Sequence, residues 1–489
     1  MKKALIWLIV LLMMSSCAQT PVQESGKETL QDNSANPVAD ESVQVDESED
    51  ILISHNVPDD VKFGGATFNM LSPDEYSGQC IIEETTGDVL NDERYYTQLA
   101  TEETLEVVVE ETLTPFWTMN EDVSALIMAG DTEYGCITMM DRFALKSAQQ
   151  GYYYPIQNIK YIDTSEIYWG GTLTDSISLG GNLYFAISSF NTKSLEKANC
   201  LFINTDIATE VGLEIPYEDV KNGTWTLDKY QSYDNIATRD LDGDGNMTEF
   251  DQYTYSAGDA RGIAAISWVA AGAFTTVKDE DDIPRMNVQN EKFISVLENV
   301  YSFYFDDKDC YNTYAETVGE FTSDFSTGRL LFVTASLGGM FTYRDMENSY
   351  SVLPCPKYDE LQEQYYSRII DSMFSMVPTT CTDKDMAGAV LEVMSCIGYN
   401  RIVPAYIEES LQKKFARNPE TIEMIQLVYD TRWTEISEIC IYERFGDGPM
   451  YDFIRKSQNS MGSELTKLDK IGNKMISIIM TALEKTVEY

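Results

Sequence analysis

Twelve consecutive residues, 240–251, have the residue types and the spacing of a calcium-binding loop. Gly245 stands at the sixth position, where such a loop turns sharply, and Met247 provides an apolar anchor at the eighth. Oxygen ligands fall at the first, third, fifth, seventh, ninth and last positions, which are Asp240, Asp242, Asp244, Asn246, Thr248 and Asp251. The pattern predicts a calcium ion with a structural role. The alternative is an acidic surface turn that holds no ion.

The last ligand position departs from the usual pattern. Asp251 is shorter than the glutamate that normally closes such a loop with both carboxylate oxygens. We therefore expect weaker calcium binding and some tolerance of magnesium. The sequence contains no second loop of this kind, which argues against a calcium sensor, because sensors use paired loops.

A second chemically distinctive residue is Cys17. Lys2 and Lys3 are followed by eleven apolar residues at 4–14, and then by Ser15, Ser16 and Cys17. An apolar run of this length is typical of a signal peptide and too short to span a bilayer. Small residues before a cysteine resemble a lipobox, so we predict a lipoprotein signal peptide over 1–17, with acylation of Cys17 by chains such as palmitate. The alternative is a plain secretory signal with an incidental cysteine.

The segment after Cys17 is acidic and lacks aromatic residues. Residues 18–50 contain nine carboxylates and one lysine. Such a composition cannot bury enough apolar surface to offset the entropy of ordering, so we predict a disordered acidic tether over 18–57. Anchoring at the membrane is expected through lipid only, because no later run approaches eighteen apolar residues.

Charge and cysteine usage exclude several classes of protein. The formal net charge of −45 argues against nucleic acids and acidic polymers as partners. Eight cysteines follow Cys17, none in a CxxC pair, and several stand in apolar runs, so most are expected to be buried thiols. Zinc is not expected, because His55 is the only histidine.

The remaining residues alternate between strand and helix patterns. β-Branched and apolar runs predict strands at 61–71, 105–111, 136–140, 183–187 and 200–203. Amphipathic helices fall between them, and this alternation predicts an α/β fold with mostly parallel sheets. Apolar residues at helical spacing over 390–397 and 465–483 predict a helical C-terminal section.

Several stretches in order resemble the family 1 extracellular solute-binding proteins of ABC importers. They look most like the sugar-binding lipoproteins common in Firmicutes. Besides the acidic loop, the similar stretches are Glu-Thr-Thr-Gly-Asp-Val-Leu-Asn-Asp at 84–92, Ala-Gly-Asp-Thr-Glu-Tyr at 129–134, Asp-Arg-Phe at 141–143, Gly-Thr-Trp-Thr-Leu-Asp at 223–228 and Tyr-Ser-Val-Leu-Pro-Cys-Pro-Lys-Tyr-Asp-Glu at 350–360. The resemblance covers residues 60–489.

The resemblance implies a two-lobed periplasmic-binding-protein-like fold of type II. Two hinged α/β lobes would close over a ligand in the cleft between them. Lobe 1 is expected over 58–187 plus 366–398, and lobe 2 over 188–365 plus 399–489. The family also implies a monomer on the outer face of the cytoplasmic membrane, which binds a carbohydrate and delivers it to ABC permease subunits.

The family and the chemistry of sugars together suggest candidate cleft residues. Sugars present apolar faces and rims of hydroxyl groups, so aromatic rings and paired polar side chains are needed. The candidates are Asp141, Arg142, Trp169, Trp268, Phe341, Tyr343 and Trp433. Alternatives are open at this point: the Asp–Arg pair is equally suited to a structural salt bridge, and each aromatic residue to core packing.

Three functions compete, and only one of them is enzymatic. The chain lacks a GxSxG motif and has a single histidine, which argues against serine or cysteine nucleophiles. A calcium-stabilised glycan hydrolase needs only two carboxylates and stays as an alternative. A sensor or adhesin without a permease is the other. The expected function is a binding protein, not an enzyme.

Overall fold

The computed structural model describes residues 52–248, 250–256, 260–306, 310–311, 325–412, 419–457 and 460–485. The predicted signal peptide, Cys17 and residues 18–51 of the predicted tether lie outside these ranges. Residues 52–57 were expected to belong to the tether, but they are part of the fold. The main chain of Ile53 exchanges two hydrogen bonds with the Asn400 side chain, at 3.1 and 2.7 Å, and Val57 is buried.

The strands of the described residues are short. They are β1 Ala66–Pro73, β2 Val107–Thr114, β3 Tyr134–Met140, β4 Asn199–Asn204, β5 Tyr255–Ser256, β6 Thr276–Lys278, β7 Pro284–Met286, β8 Cys310–Tyr311, β9 Phe332–Ser336, β10 Tyr350–Leu353, β11 Ser367–Arg368, β12 Met373–Met376 and β13 Arg432–Trp433.

Helices connect and cover these strands. The α-helices are Val89–Leu105, Met119–Ala129, Asp141–Ala148, Thr172–Ile177, Lys193–Glu196, Thr205–Val211, Tyr217–Lys221, Leu227–Gln231, Ala260–Ala264, Glu291–Tyr301, Gly339–Tyr343, Lys384–Gln412, Pro419–Asp430, Ile436–Cys440, Tyr442–Phe445, Asp447–Ser457 and Met461–Glu484. The last six confirm the helical C-terminal section, because Lys384–Gln412 contains the predicted stretch 390–397 and Met461–Glu484 contains 465–483. None of the described helices combines the length and the apolarity that crossing a bilayer requires.

The first sheet has the strand order β12-β3-β1-β2. β1 is parallel to both β2 and β3, whereas β12 is antiparallel to β3. The helices Val89–Leu105 and Lys384–Gln412 pack against each other and against this sheet. Because β1, β2 and β3 run in the same direction, their carboxyl ends meet at one edge, where ligands of α/β sheets bind.

The second sheet has the strand order β10-β4-β9. Both of its pairings are antiparallel, so the prediction of mostly parallel sheets is wrong for this one. All six residues of β4 are buried. A strand buried on both faces has the same continuous apolar sequence whether its neighbours are parallel or antiparallel, so the sequence alone does not give the direction.

One predicted strand, 183–187, is a buried extended segment without a regular ladder. Ala186 makes a single antiparallel bridge with Ser375. The cysteine prediction is confirmed for the seven cysteines that the structure describes outside β8. All seven are free thiols, and every one except Cys440 is buried.

Candidate binding cleft

A cleft of about 640 Å³ opens at the carboxyl ends of the parallel strands of the first sheet. Tyr76 follows β1, Phe116 follows β2, and Arg142 follows β3. Lys197, which precedes β4, and Tyr442, from the C-terminal helices, line the opposite side. The cavity therefore lies between the carboxyl ends of the first sheet and the segment that leads into the second.

Aromatic side chains form a continuous wall on the first side of the cleft. The Phe116 ring lies 5.6 Å from Tyr76, 4.8 Å from Trp117 and 5.5 Å from Phe143, measured between centroids. Trp117 is 79% exposed, which leaves its ring available to a ligand at the rim. Such a wall suits the apolar faces of sugar rings.

The predicted pair Asp141 and Arg142 begins the helix that follows β3. Arg142 lines the cleft, and its guanidinium lies 4.0 Å above the centre of the Tyr442 ring. Asp141 is buried beneath it, and its Oδ1 accepts a hydrogen bond from the Arg142 backbone N–H at 2.7 Å. Burial, followed by the nearby Asp371 carboxylate, raises the pKa of Asp141 to about 7, while Arg142 opposes that rise. Arg142 is the member of the pair that can contact a ligand.

Asp371 forms ion pairs with arginines on both sides of the cleft. Its Oδ1 lies 2.5 Å from Nη2 of Arg142, on the first side, and its Oδ2 lies 2.8 Å from Nη2 of Arg261, on the second. The residue adopts φ 57°, in the left-handed region, which a short polar side chain tolerates better than most. Sequence reasoning missed Asp371, because only the fold brings it to Arg142.

A buried ion pair holds the chain just before Asp371. Arg368 in β11 is fully buried, and its guanidinium binds both carboxylate oxygens of Glu438 at 2.8–3.1 Å. β11 pairs with β13, whereas β12, which follows Asp371, belongs to the first sheet. The segment 367–376 therefore runs from the β11–β13 pair to the first sheet, and the ion pair of Arg368 holds its first end in place.

A second cavity of about 350 Å³ adjoins the first, and Lys197 and Arg261 line both. Its polar lining includes Asn199 at the start of β4 and Thr334 and Ser336 at the end of β9. Hydroxyl and amide groups of this kind can hydrogen-bond to the hydroxyls of a sugar.

Two predicted aromatic platforms lie in the core. Trp169 is 1% exposed, and its indole N–H donates to Oε2 of the buried Glu392 at 2.7 Å. Trp268 is fully buried within the π-helical turn Ala265–Val269. Neither ring presents a face to the cleft, so the packing alternative holds for both.

The other three aromatic candidates each pack against another aromatic ring, at three different places in the fold. Tyr343 borders the smaller cavity, but its ring is buried against Phe202, with centroids 5.1 Å apart. Phe341 packs edge-on against Tyr406 at 5.4 Å and borders neither cavity. Trp433 is half-buried and stacks on Phe274 at 4.7 Å, beside a separate cavity of about 230 Å³. The structure does not bring these three residues to the aromatic wall.

The signal for the aromatic wall was present in the sequence but weak. Phe116 and Trp117 come five and six positions after the end of the predicted strand 105–111, and a place near a strand end favours a ligand contact. Nothing in their local sequence distinguishes them from core residues.

Three carboxylates of the acidic loop lie close together. One carboxylate oxygen from each of Asp240, Asp242 and Asp244 lies within 4.8 Å of the others. Asp251 closes the loop from the other end, with Oδ1 accepting from Leu241 N at 2.8 Å and Oδ2 from Thr248 N at 2.7 Å. Within the loop, the backbone N–H of Asn246 donates a hydrogen bond to Oδ1 of Asp244 at 2.7 Å. Hydrogen bonds from backbone amides lower the pKa values of Asp240 and Asp251, which keeps both available as anionic ligands.

Solved structures share the fold over most of this chain. A sugar transporter of Rhizobium etli in an open conformation is 13% identical with a TM-score of 0.58, over 83% of this chain and 99% of its own. An ABC substrate-binding protein of Listeria monocytogenes in complex with cycloalternan is 12% identical with a TM-score of 0.54, over 84% and 99%. A cyclo/maltodextrin-binding protein complexed with maltotetraose is 12% identical with a TM-score of 0.53, over 87% and 98%.

These neighbours are binding proteins, and they show that this chain has the two-lobed α/β fold of sugar-binding solute-binding proteins. No protein-family model matches the sequence, and no curated protein matches it. The predicted lobe boundaries stay a prediction. The strands of the first sheet fall within 58–187 and 366–398, and those of the second within 188–365.

Proposed function

We propose that this protein is a lipid-anchored extracellular solute-binding protein that captures a carbohydrate in the cleft and delivers it to an ABC importer. The carrying observation is the aromatic wall of Tyr76, Phe116, Trp117 and Phe143, which faces polar groups across a cavity between two sheets. The fold of known carbohydrate binders, two of them solved with oligosaccharides, supports the same function.

Calorimetry with a panel of mono- and oligosaccharides tests the proposal. We expect at least one glycan to bind with 1:1 stoichiometry and to be recovered unchanged. Hydrolysis of the bound glycan would favour the hydrolase alternative. Failure of every glycan to bind or to raise the Tm would contradict the carbohydrate assignment.

Delivery to an importer requires attachment to the cell, which is proposed to occur through lipid on Cys17. Metabolic labelling with palmitate should mark the full-length protein, and Cys17→Ala should abolish the label and release the protein from the cell surface. Cys80→Ala is the matched control, because Cys80 is buried in the fold. Equal labelling of the Cys17→Ala variant would contradict the anchor.

Calcium is proposed as a structural ion in the loop 240–251. A ligand that binds only the folded state adds about 2.7 kcal/mol to the free energy of unfolding at one hundred times its Kd. Millimolar calcium should therefore raise the Tm of the wild-type protein, whereas Asp242→Asn should remove that response. Asp281→Asn, at an exposed position outside the loop, should keep it. An unchanged wild-type Tm in calcium and in chelator would contradict the site.

A further inference from the structure

Lys197 stands where the two cavities of the cleft meet. It follows the short helix Lys193–Glu196 and precedes β4, and its side chain lines both cavities. In the part of the chain that the structure describes, no carboxylate oxygen lies within the 4.0 Å of an ion pair from its ammonium group. Partial burial lowers the pKa of Lys197, because the charged ammonium is separated from water, while the Asp371 carboxylate opposes that shift without forming an ion pair.

The other cations of the cleft are engaged or exposed. Arg142 and Arg261 share Asp371. Lys193 is paired with Glu196 at 2.7 Å. Lys146 is an exposed side chain that lines the larger cavity. Lys197 is therefore the cation of this lining that is both partly buried and without a carboxylate partner.

The charge of the cleft differs from the charge of the chain. Five cations and four carboxylates line the two cavities, although the whole chain has a net charge of −45. An anion inside the cleft is attracted by groups a few ångströms away, whereas the distant carboxylates of the surface are screened by salt beyond about 8–10 Å. A local excess of positive charge can therefore dominate recognition.

Asn199 provides a second unsatisfied group beside the lysine. It is 6% exposed, lines the smaller cavity, and its Oδ1 has no hydrogen-bond partner among the described residues. A buried acceptor without a partner is destabilising, and a hydrogen bond from a ligand hydroxyl would remove that penalty. The junction thus offers a cation for an acid group and an acceptor for an adjacent hydroxyl.

Resting on the proposed function, we infer that the solute is a short glycan with a single carboxylate, such as a uronic-acid residue, which Lys197 binds where the two cavities meet. One unpaired cation matches one negative charge. A phosphate dianion or a polyuronate would place further charge beside Asp371 and Glu196, where like charges repel. The sugar rings would lie along the aromatic wall, and the carboxylate would reach the lysine.

Matched acids and methyl esters test this inference. Calorimetry would use mono- to tetrasaccharides that contain galacturonate or glucuronate, each beside its methyl ester, which removes the charge and keeps the ring. We expect an acid to bind the wild-type protein at least tenfold more tightly than its ester. Lys197→Gln should weaken binding of the acid at least tenfold and leave binding of the ester within about twofold, because a charge-assisted contact is worth about 1.5–3 kcal/mol.

Two control variants separate charge recognition from folding. Lys197→Arg should keep most of the preference for the acid. Lys160→Gln makes the same change in charge outside the cleft, at a lysine paired with Asp385, and should change neither affinity. Equal affinity for acid and ester, or equal weakening of both by Lys197→Gln, would overturn the inference. Binding of neutral glycans alone would overturn it and leave the proposed function standing, whereas no glycan binding would overturn both.

Discussion

Burial, not residue type, separates the tryptophans of this protein into structural and ligand-facing groups. Trp117 is 79% exposed beside the cleft, whereas Trp169 is 1% exposed and hydrogen-bonded to Glu392. Both follow the same elementary chemistry, since an indole has a large apolar face and one N–H donor. The burial of the ring decides its role, and only the fold determines that burial.

The two tryptophans should therefore respond to substitution in opposite ways. Trp117→Ala should weaken sugar binding by about tenfold, as expected for the loss of an aromatic contact of about 1.5 kcal/mol, and change the free energy of unfolding by less than about 0.5 kcal/mol. Trp169→Phe should lower the free energy of unfolding by about 1–3 kcal/mol, because it leaves the Glu392 carboxylate short of a donor, and keep the affinity. Calorimetry and urea unfolding measure the two effects. A loss of affinity in Trp169→Phe alone would contradict the assignment.

Asp141 predicts a pH dependence of stability. Its pKa is about 7 in the folded protein, above its ordinary value of 3.8, chiefly because of burial. Between about pH 4 and pH 7 the folded state therefore holds a proton that the unfolded state has lost. The free energy of unfolding should then fall as pH rises through this window, by up to about 1.4 kcal/mol per pH unit from this group.

Asp141→Asn isolates that contribution, because asparagine does not titrate. The difference in the free energy of unfolding between variant and wild type should grow in favour of the variant from pH 4 to pH 7 and stay constant above pH 8. Urea unfolding across this range measures the difference. A constant difference throughout would show that Asp141 ionises normally in the folded protein.

At the scale of elements, the segment 367–376 connects two sheets and also contributes to the cleft. It pairs with β13 through β11 and with β3 through β12, so it links the β11–β13 pair to the first sheet. Arg368 is held by Glu438 in the interior, and Asp371 contacts arginines from both sides of the cleft. A segment fixed at one point and ion-paired across the cleft can serve as a hinge whose position depends on what fills the cavity.

The buried ion pair of Arg368 and Glu438 should contribute far more to the free energy of unfolding than an exposed ion pair does. Glu438→Ala should lower the free energy of unfolding by about 3–5 kcal/mol, because it removes the bidentate partner of the buried Arg368 guanidinium and leaves it the longer contact with Asp447 at 3.4 Å. Lys456→Ala breaks an exposed pair with Asp452 in the helix Asp447–Ser457 and should cost less than about 1 kcal/mol. Urea unfolding compares the two variants. Similar costs would show that water or another group replaces Glu438.

At the scale of the whole molecule, the cavity lies between the edges of two sheets of different topology. The first sheet presents the carboxyl ends of three parallel strands, and the second presents the start of β4 and the end of β9. The groups that line the cavity thus come from both sheets, so a ligand that contacts both would favour the arrangement that brings them together.

Ligand binding should consequently make the protein more compact. Small-angle scattering in the presence of a saturating glycan should give a smaller radius of gyration than the free protein, because contacts to both walls favour closure. Arg261→Ala removes the contact of Asp371 with the second wall and should reduce the contraction at equal saturation. An unchanged radius with bound glycan would contradict hinged closure.

The sequence by itself determined the α/β class, the helical C-terminal section, the acidic loop and the position of Arg142 at a strand end, because these depend on local periodicity and spacing. Only the tertiary structure decided the direction of the strands in the second sheet, the burial of Trp169 and Trp268, and the meeting of Arg142, Asp371 and Arg261. The physical reason is the distance along the chain over which each property is determined. A local sequence pattern shows which face of a helix or strand is apolar. A binding site depends on which elements, distant in sequence, pack against that face.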